Sequence, residues 1–318
     1  MIRYYFVERT GTVKLLETLE NANWIHLEGP EDAEMLEISE QCQFPIDYLY
    51  STLDPDEVSR AEKIEQNEPE KPILISLLYP LEPEGLEGTG VYETRTMSII
   101  LMRDVIITCV RENPAFLENI IGDEFSLVKQ PFNERCLIIE LGWQIARAYV
   151  MAIRDIKERV DVIHKSLRQS SKTETLILLS ELDKSIVYLS TAVSENHPII
   201  SKLSNTAYLA DTEPRREWLH DVLVENHQAE KMIDQTRQML MQLDTTFSSI
   251  IQNNLNEIMK TLTSLAILVT IPTVTAGFYG MNVGLPWASN PLAFWGVALL
   301  TLVLCVLCAF WLKKKDLM

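Results

Sequence analysis

Residues 261–312 read TLTSLAILVTIPTVTAGFYGMNVGLPWASNPLAFWGVALLTLVLCVLCAFWL, 52 positions without one Asp, Glu, Lys, Arg or His. A helix crosses a ~30 Å hydrocarbon core in about 20 residues. The stretch is therefore too long for one crossing and suits two joined by a short loop. Gly280–Asn290 (GMNVGLPWASN) supplies the turn residues. This predicts a first membrane helix over 261–279, a loop over 280–290 and a second helix over 291–312, followed by a basic tail over 313–318. Lys260 precedes the first helix, and Lys313, Lys314 and Lys315 follow the second. Flanking cations mark the cytoplasmic side. Both termini are thus expected in the cytoplasm, with the chain crossing the cell (inner) membrane twice and its loop facing out. Trp287, Trp295 and Trp311 sit where interfacial anchors belong.

The two predicted helices differ in character. The second, FWGVALLTLVLCVLCAFW, is uniformly apolar and reads as lipid-facing, with the C-x-x-C spacing of Cys305 and Cys308 as apolar filler. The first is rich in hydroxyls and small residues. At 3.5–3.6 residues per turn, Asn256, Thr263, Thr270 and Gly277 fall on one stripe, and Met259, Ala266, Thr273 and Gly280 on the adjacent one. Small residues allow helices to approach closely; hydroxyls spaced this way also suit the wall of a water-filled path. Two helices enclose no path alone, so the second reading requires several copies.

Charge divides the chain just as sharply. The tail 313–318 holds three Lys and one Asp, which leaves 25 basic and 44 acidic residues in 1–260, a net charge of −19 there. Such a body repels phosphate backbones, which argues against nucleic acid and fits divalent cations. The N-terminus MIRYYFVERTGTVK has no apolar secretory core. Five scattered cysteines (Cys42, Cys109, Cys136, Cys305, Cys308) give no disulfide framework and fit a reducing compartment. Phosphate-binding Gly-rich loops, G-x-S-x-G, H-E-x-x-H and clustered His/Cys sets are all missing, so the chain is not expected to be an enzyme.

Residues 1–130 read as mixed α/β. Strands are expected near Tyr4–Val7, Val13–Glu17, Trp24–Leu27, Ile73–Tyr79, Thr94–Met102 and Val105–Val110, and helices near Glu31–Gln41 and Ala115–Ile121. An acidic segment lies between Asp54 and Glu87, with a hairpin loop after Pro80. Residues 131–211 show apolar spacing of three and four over Glu134–Leu167 and Thr173–Leu203. The short polar turn Arg168–Lys172 between them predicts an antiparallel helical hairpin. A stalk helix over 212–260 starts near Thr212 or Pro214 and runs without another Pro or Gly to Pro272, so it is expected to enter the membrane as the first span. Ile233, Leu240, Leu243, Phe247 and Ile250 sit at coiled-coil spacing, which predicts a self-associating seam.

Tyr279-Gly280-Met281-Asn282, placed after a first span and before a short loop and second span, resembles the signature of CorA-type magnesium channels, the two-span GxN family. Asn256-Glu257-Ile258-Met259-Lys260, Pro272 and Ala276-Gly277-Phe278 resemble the same family's stalk-to-pore sequence. The resemblance implies a funnel-shaped homopentamer in the lipid bilayer, with an α/β cytosolic domain, a long helical hairpin, a stalk and the first span around a central pore. It assigns Gly280, Met281 and Asn282 to the selectivity filter. Asn256, Thr263, Ala266, Thr270, Thr273 and Gly277 would line the pore, Met259 and Leu262 would form its apolar constriction, and Lys260 with Lys313, Lys314 and Lys315 would form a basic ring at the inner mouth. Mg²⁺ sheds its water reluctantly, so an uncharged ring of amide and backbone oxygens holds the ion through its waters.

The resemblance also implies regulation by cytosolic Mg²⁺ between subunits. Asp221 falls where the family places a stalk carboxylate, and Glu225 shares its helical face. Asp54, Asp56 and Glu57 are the candidate partners, although Tyr48–Leu53 lacks a clean acidic match. The outer loop GMNVGLPWASN carries no carboxylate, a departure that leaves Zn²⁺, Co²⁺ or Ni²⁺ as alternative cargo. A membrane-anchored structural or signalling protein is the alternative of a different class.

Overall fold

The computed structural model describes residues 1–54, 56–64, 71–82, 90–102, 105–122, 125–129, 133–166, 173–281 and 292–315. The chain divides into two compact units, Met1–Leu243 and Asp244–Met318.

The first unit is built on a seven-stranded mixed sheet in the order β2-β1-β3-β7-β6-β5-β4. Its strands are β1 (Ile2–Val7), β2 (Val13–Leu16), β3 (Trp24–Glu28), β4 (Arg60–Glu62), β5 (Ile73–Leu81), β6 (Glu93–Met102) and β7 (Val105–Val110). Among the described residues, β3 and β7 are the one parallel pair. Strand alternation sorts two faces. Ile25, Leu27, Leu74, Ile100, Ile107 and Cys109 pack with Met35 and Ile38 of helix α1 (Asp32–Cys42) and Tyr48 and Leu49 of α2 (Asp47–Tyr50). The opposite face meets α4 (Glu134–Ser166) and α5 (Thr173–Ser204), the two long helices expected from the apolar spacing; α3 (Ala115–Ile121) precedes them. α4 is apolar enough to cross a membrane, but 78% of its apolar window is buried inside the protein. The elements missed from the sequence, α2 and β4, are four and three residues long, too short to show a period.

Side-chain amides finish the sheet where strands run out of partners. Asn196 of α5 accepts from the Leu78 N–H at 2.9 Å and donates to the Leu78 carbonyl at 2.7 Å. It also accepts from the Ser59 hydroxyl at 2.7 Å, just before β4. Asn23 does the same for Val7 of β1, at 2.7 and 2.8 Å. A buried backbone pair that would otherwise stay unpaired is satisfied in each case.

His26 on β3 is fully buried; its Nδ1 lies 2.9 Å from the Thr108 hydroxyl, which accepts from the Trp24 indole N–H at 2.9 Å. Burial, with the Arg3 charge adding to it, lowers its pKa from 6.5 to about 4. The unfolded chain therefore binds this proton more tightly between those values. Stability is full above pH 6.5 and is lost as pH falls through 4, by ~3 kcal/mol for this group. Urea titrations across pH 4–7 are expected to show that slope, and His26→Gln to flatten it.

The last helix of this unit continues into the second. α6 (Glu213–Tyr279) is 67 residues long, with Pro214 in its first turn, where a missing N–H costs nothing. The expected self-associating seam is not free: Ile233, Leu240, Leu243 and Phe247 are buried within the single chain. Within the first unit α6 approaches α4 at Gly142, where an added Cβ would lie 3.5 Å from Val222 Cγ1. Heptad spacing reports an apolar stripe but not what covers it.

Candidate functional site: the exposed face of α6

The second unit contains the C-terminal part of α6 and helix α7 (Ala293–Lys314). Both are long and apolar enough to span a membrane, and only 6% of each apolar window is buried. The loop expected to carry the signature is described only at its start. Gly280 N–H donates to Ala276 carbonyl at 2.9 Å and closes the last turn of α6; Met281 follows, exposed. Asn282 lies outside the described residues.

α7 marks one face of α6. Ser264, Leu268, Ile271 and Thr275 have reduced exposure, at steps of four, three and four. Their counterparts on α7 are Val297, Thr301, Cys305, Cys308 and Leu312. The second span is therefore not uniformly lipid-facing, and Cys305 has a defined partner. Pro272 lacks the N–H that would bond the Leu268 carbonyl four residues earlier. Cys305 Sγ reaches that same carbonyl from α7 at 3.9 Å. A weak thiol donor thus serves an acceptor that the helix itself leaves free, in a region where water is scarce.

The predicted pore residues lie elsewhere on the helix. Asn256, Met259, Leu262, Thr263, Ala266, Thr270, Thr273 and Gly277 are all exposed in the single chain. At 100° per residue, the stripe through Thr263, Thr270, Thr273 and Gly277 sits roughly 130–150° around α6 from the face that α7 covers. Thr270 and Thr273 donate their hydroxyl protons to the Ala266 and Val269 carbonyls at 2.7 and 2.8 Å. Each hydroxyl proton is then used inside the helix, and the oxygen's acceptor capacity stays available on the exposed side. A Cβ added at Gly277 would meet nothing within 4 Å, so this chain alone imposes no steric need for glycine there.

Toward the Lys260 end, an open groove of about 400 Å³ is bordered by Asn253, Asn256, Met259, Lys260, Thr263 and Leu312, among others. Lys313, Lys314 and Lys315 are exposed next to Leu312.

The candidate regulatory carboxylates are placed but not assembled. Asp221 is exposed and Glu225 half-buried on α6. In the loop before β4, Asp54 accepts from the Asp56 N–H at 2.9 Å, and Glu57 pairs with Arg60 at 3.3 Å. Glu57 is thus already partly neutralised. Among the described residues of one chain, no group of three or more His, Cys, Asp or Glu side chains is disposed to hold a metal ion.

One carboxylate that sequence reasoning missed is fully buried. Glu140 of α4 accepts backbone N–H groups of Ser126, Leu127 and Val128 at 2.9, 3.1 and 3.0 Å, and the Gln144 amide at 2.8 Å. Its signal was a single charge inside the apolar run Cys136–Leu141.

The family model described as "CorA-like Mg2+ transporter protein" matches residues 20–314. The cobalt/magnesium transport protein CorA of Methanocaldococcus jannaschii is 24% identical over 296 residues, which span 92% of this chain and 90% of that protein. The complete structure of the CorA magnesium transporter from that organism superposes with a TM-score of 0.83 at 21% identity, covering 100% of this chain and 99% of the other. The full-length CmaX protein superposes at 0.72, with 15% identity, over 99% and 97%.

Proposed function

Since the chain belongs to the CorA-like Mg2+ transporter family, whose members move divalent cations across membranes, we propose that it forms a homopentameric channel carrying Mg²⁺ inward down its electrochemical gradient. Both termini lie in the cytoplasm, on the side of Lys260 and Lys313–Lys315. The observation that carries this reading is the face of α6 that α7 leaves open. A hydrated Mg²⁺ presents water hydrogens outward, so its path needs acceptors. Thr270 and Thr273, their own protons given to the Ala266 and Val269 carbonyls, supply them. Gly277, open on its own chain, leaves room for other copies of α6 around a shared axis. Asn282 forms the outer ring that reads the hydrated ion. Met259 and Leu262 form the apolar constriction toward the cytoplasm, where dewetting closes a path.

Cytosolic Mg²⁺ regulates this path by joining Asp221, with Glu225, to an acidic loop of the neighbouring subunit. Asp54 and Asp56 are better placed to take part than Glu57, which Arg60 already engages. Facing carboxylates repel without a cation and are bridged by one. Asp221→Ala is expected to weaken inhibition by internal Mg²⁺ and to remove the protection from proteolysis that Mg²⁺ gives. If both responses match the unaltered chain, Asp221 is a solvated helix residue.

Co²⁺ is the second cargo to weigh, because the similar archaeal protein is a cobalt/magnesium transporter. Competitive flux into liposomes with Mg²⁺, Co²⁺, Ni²⁺ and Zn²⁺ ranks the ions. Mg²⁺ carried in preference to the other three supports the proposal, and Zn²⁺ or Ni²⁺ carried in preference to Mg²⁺ contradicts it.

A further inference from the structure

Along its N-terminal half, α6 buries Leu219, Val222, Asn226, Ala229 and Ile233, at alternating steps of three and four. Four of these five are apolar. Asn226 is 1% exposed, and both its amide nitrogen and its amide oxygen lack a hydrogen-bond partner. Thr236, farther along the same stripe, behaves differently: its hydroxyl donates to the Met232 carbonyl at 2.8 Å and is satisfied within its own helix. An asparagine amide carries two donors and an acceptor, which a single turn of helix does not absorb.

No side chain of α4 hydrogen-bonds it, although the Trp143 indole nitrogen and the Tyr149 hydroxyl of that helix are also buried without a partner. Gly142 of α4 faces Val222, one turn before Asn226. Ala146, one turn after Gly142, is equally buried. The backbone groups of α4 at that level are committed to its own helical ladder. A buried amide with no partner costs free energy that an apolar side chain of similar size does not. In water the same amide recovers its hydrogen bonds. Asn226 therefore biases the α4–α6 seam toward separation.

We propose that Asn226 is a built-in weak point of that seam, which sets how readily α6 leaves α4 and thereby the balance between conducting and non-conducting states. The second half of this statement rests on the channel reading; the first does not. Asp221 lies roughly 140° around the helix from Asn226 and faces solvent. A cation held on the outer side and an unpaired amide on the inner side then act on the same two turns in opposite senses.

The test uses the full chain, in detergent and in liposomes, with Asn226→Leu and the smaller Asn226→Val, which does not overfill the seam. Both are expected to raise Tm by roughly 2–4 °C, the effect of one buried group in a chain of this size. They should also slow amide hydrogen exchange across residues 219–233 and lower flux at low internal Mg²⁺ several-fold. If both variants lower Tm and speed exchange, Asn226 is a structural tie and the proposal fails. A higher Tm with unchanged flux overturns the link to conduction. If the unaltered chain carries no flux at any internal Mg²⁺, the channel reading fails, while Tm and exchange still decide whether the weak point exists.

Discussion

Asn282→Ala is expected to cut Mg²⁺ flux by on the order of tenfold or more, with loss of discrimination against other divalent ions. The reasoning is chemical. The outer loop holds no carboxylate, so no fixed charge concentrates cations at its mouth. In the proposed channel, recognition then falls to neutral oxygens that accept hydrogen bonds from the water shell of the ion. A hydrogen bond to a charged partner contributes ~1.5–3 kcal/mol, and each 1.4 kcal/mol is a factor of ten. Truncation to alanine removes the amide while leaving the turn its Gly280 closure onto Ala276. Asn282→Asp separates charge from geometry: if the loop works by holding waters, the carboxylate binds the ion more tightly but releases it more slowly. Undiminished, equally selective flux in Asn282→Ala would remove this residue from the filter.

Glu140→Leu should be the most damaging change in the body. The substitution keeps an apolar volume on α4 but strips the acceptor from three backbone N–H groups at Ser126, Leu127 and Val128. The Val128 N–H is buried and the other two are part-buried; a buried donor left without a partner costs ~1–3 kcal/mol and the part-buried pair turns partly to water, so a loss of roughly 2–4 kcal/mol is expected. Glu140→Gln, which keeps one carbonyl oxygen, should lose less. Thermal unfolding of the full chain in detergent checks both. A Glu140→Leu variant as stable as the parent would mean that this carboxylate is a passive occupant.

Much of this molecule is legible in its sequence because its strongest signals are local. A 52-residue stretch without charge reads as two crossings wherever it falls, and the lysines at its ends are the basis of the proposed orientation. Long helices such as α4 and α5 show enough turns for their period to stand out. Signals that depend on distant contacts do not show. Ser264 and Thr263 are chemically alike and adjacent, yet Ser264 is buried and Thr263 is exposed, a distinction made only by where α7 lies. Cys305 reads as filler until Pro272 is seen to free the Leu268 carbonyl that it reaches. Ile233 and Leu240 announce an apolar seam, but its cover is the body of the same chain rather than a second copy. Gly280, Met281 and Asn282, the residues proposed for the filter, are legible only by resemblance, since three residues at a helix end and in a loop have no period to read.

If ions pass along the face of α6 that α7 leaves exposed, thiols placed on that face meet the ion path and thiols under α7 do not. The five native cysteines are replaced by serine, and single cysteines are placed at Thr263, Thr270, Leu268 and Ile271 in the reconstituted chain. A small, cationic, membrane-impermeant thiol reagent is then added during Mg²⁺ flux. Block is expected at Thr263→Cys and Thr270→Cys, and unchanged flux at Leu268→Cys and Ile271→Cys. Block at the latter pair with none at the former would contradict that path.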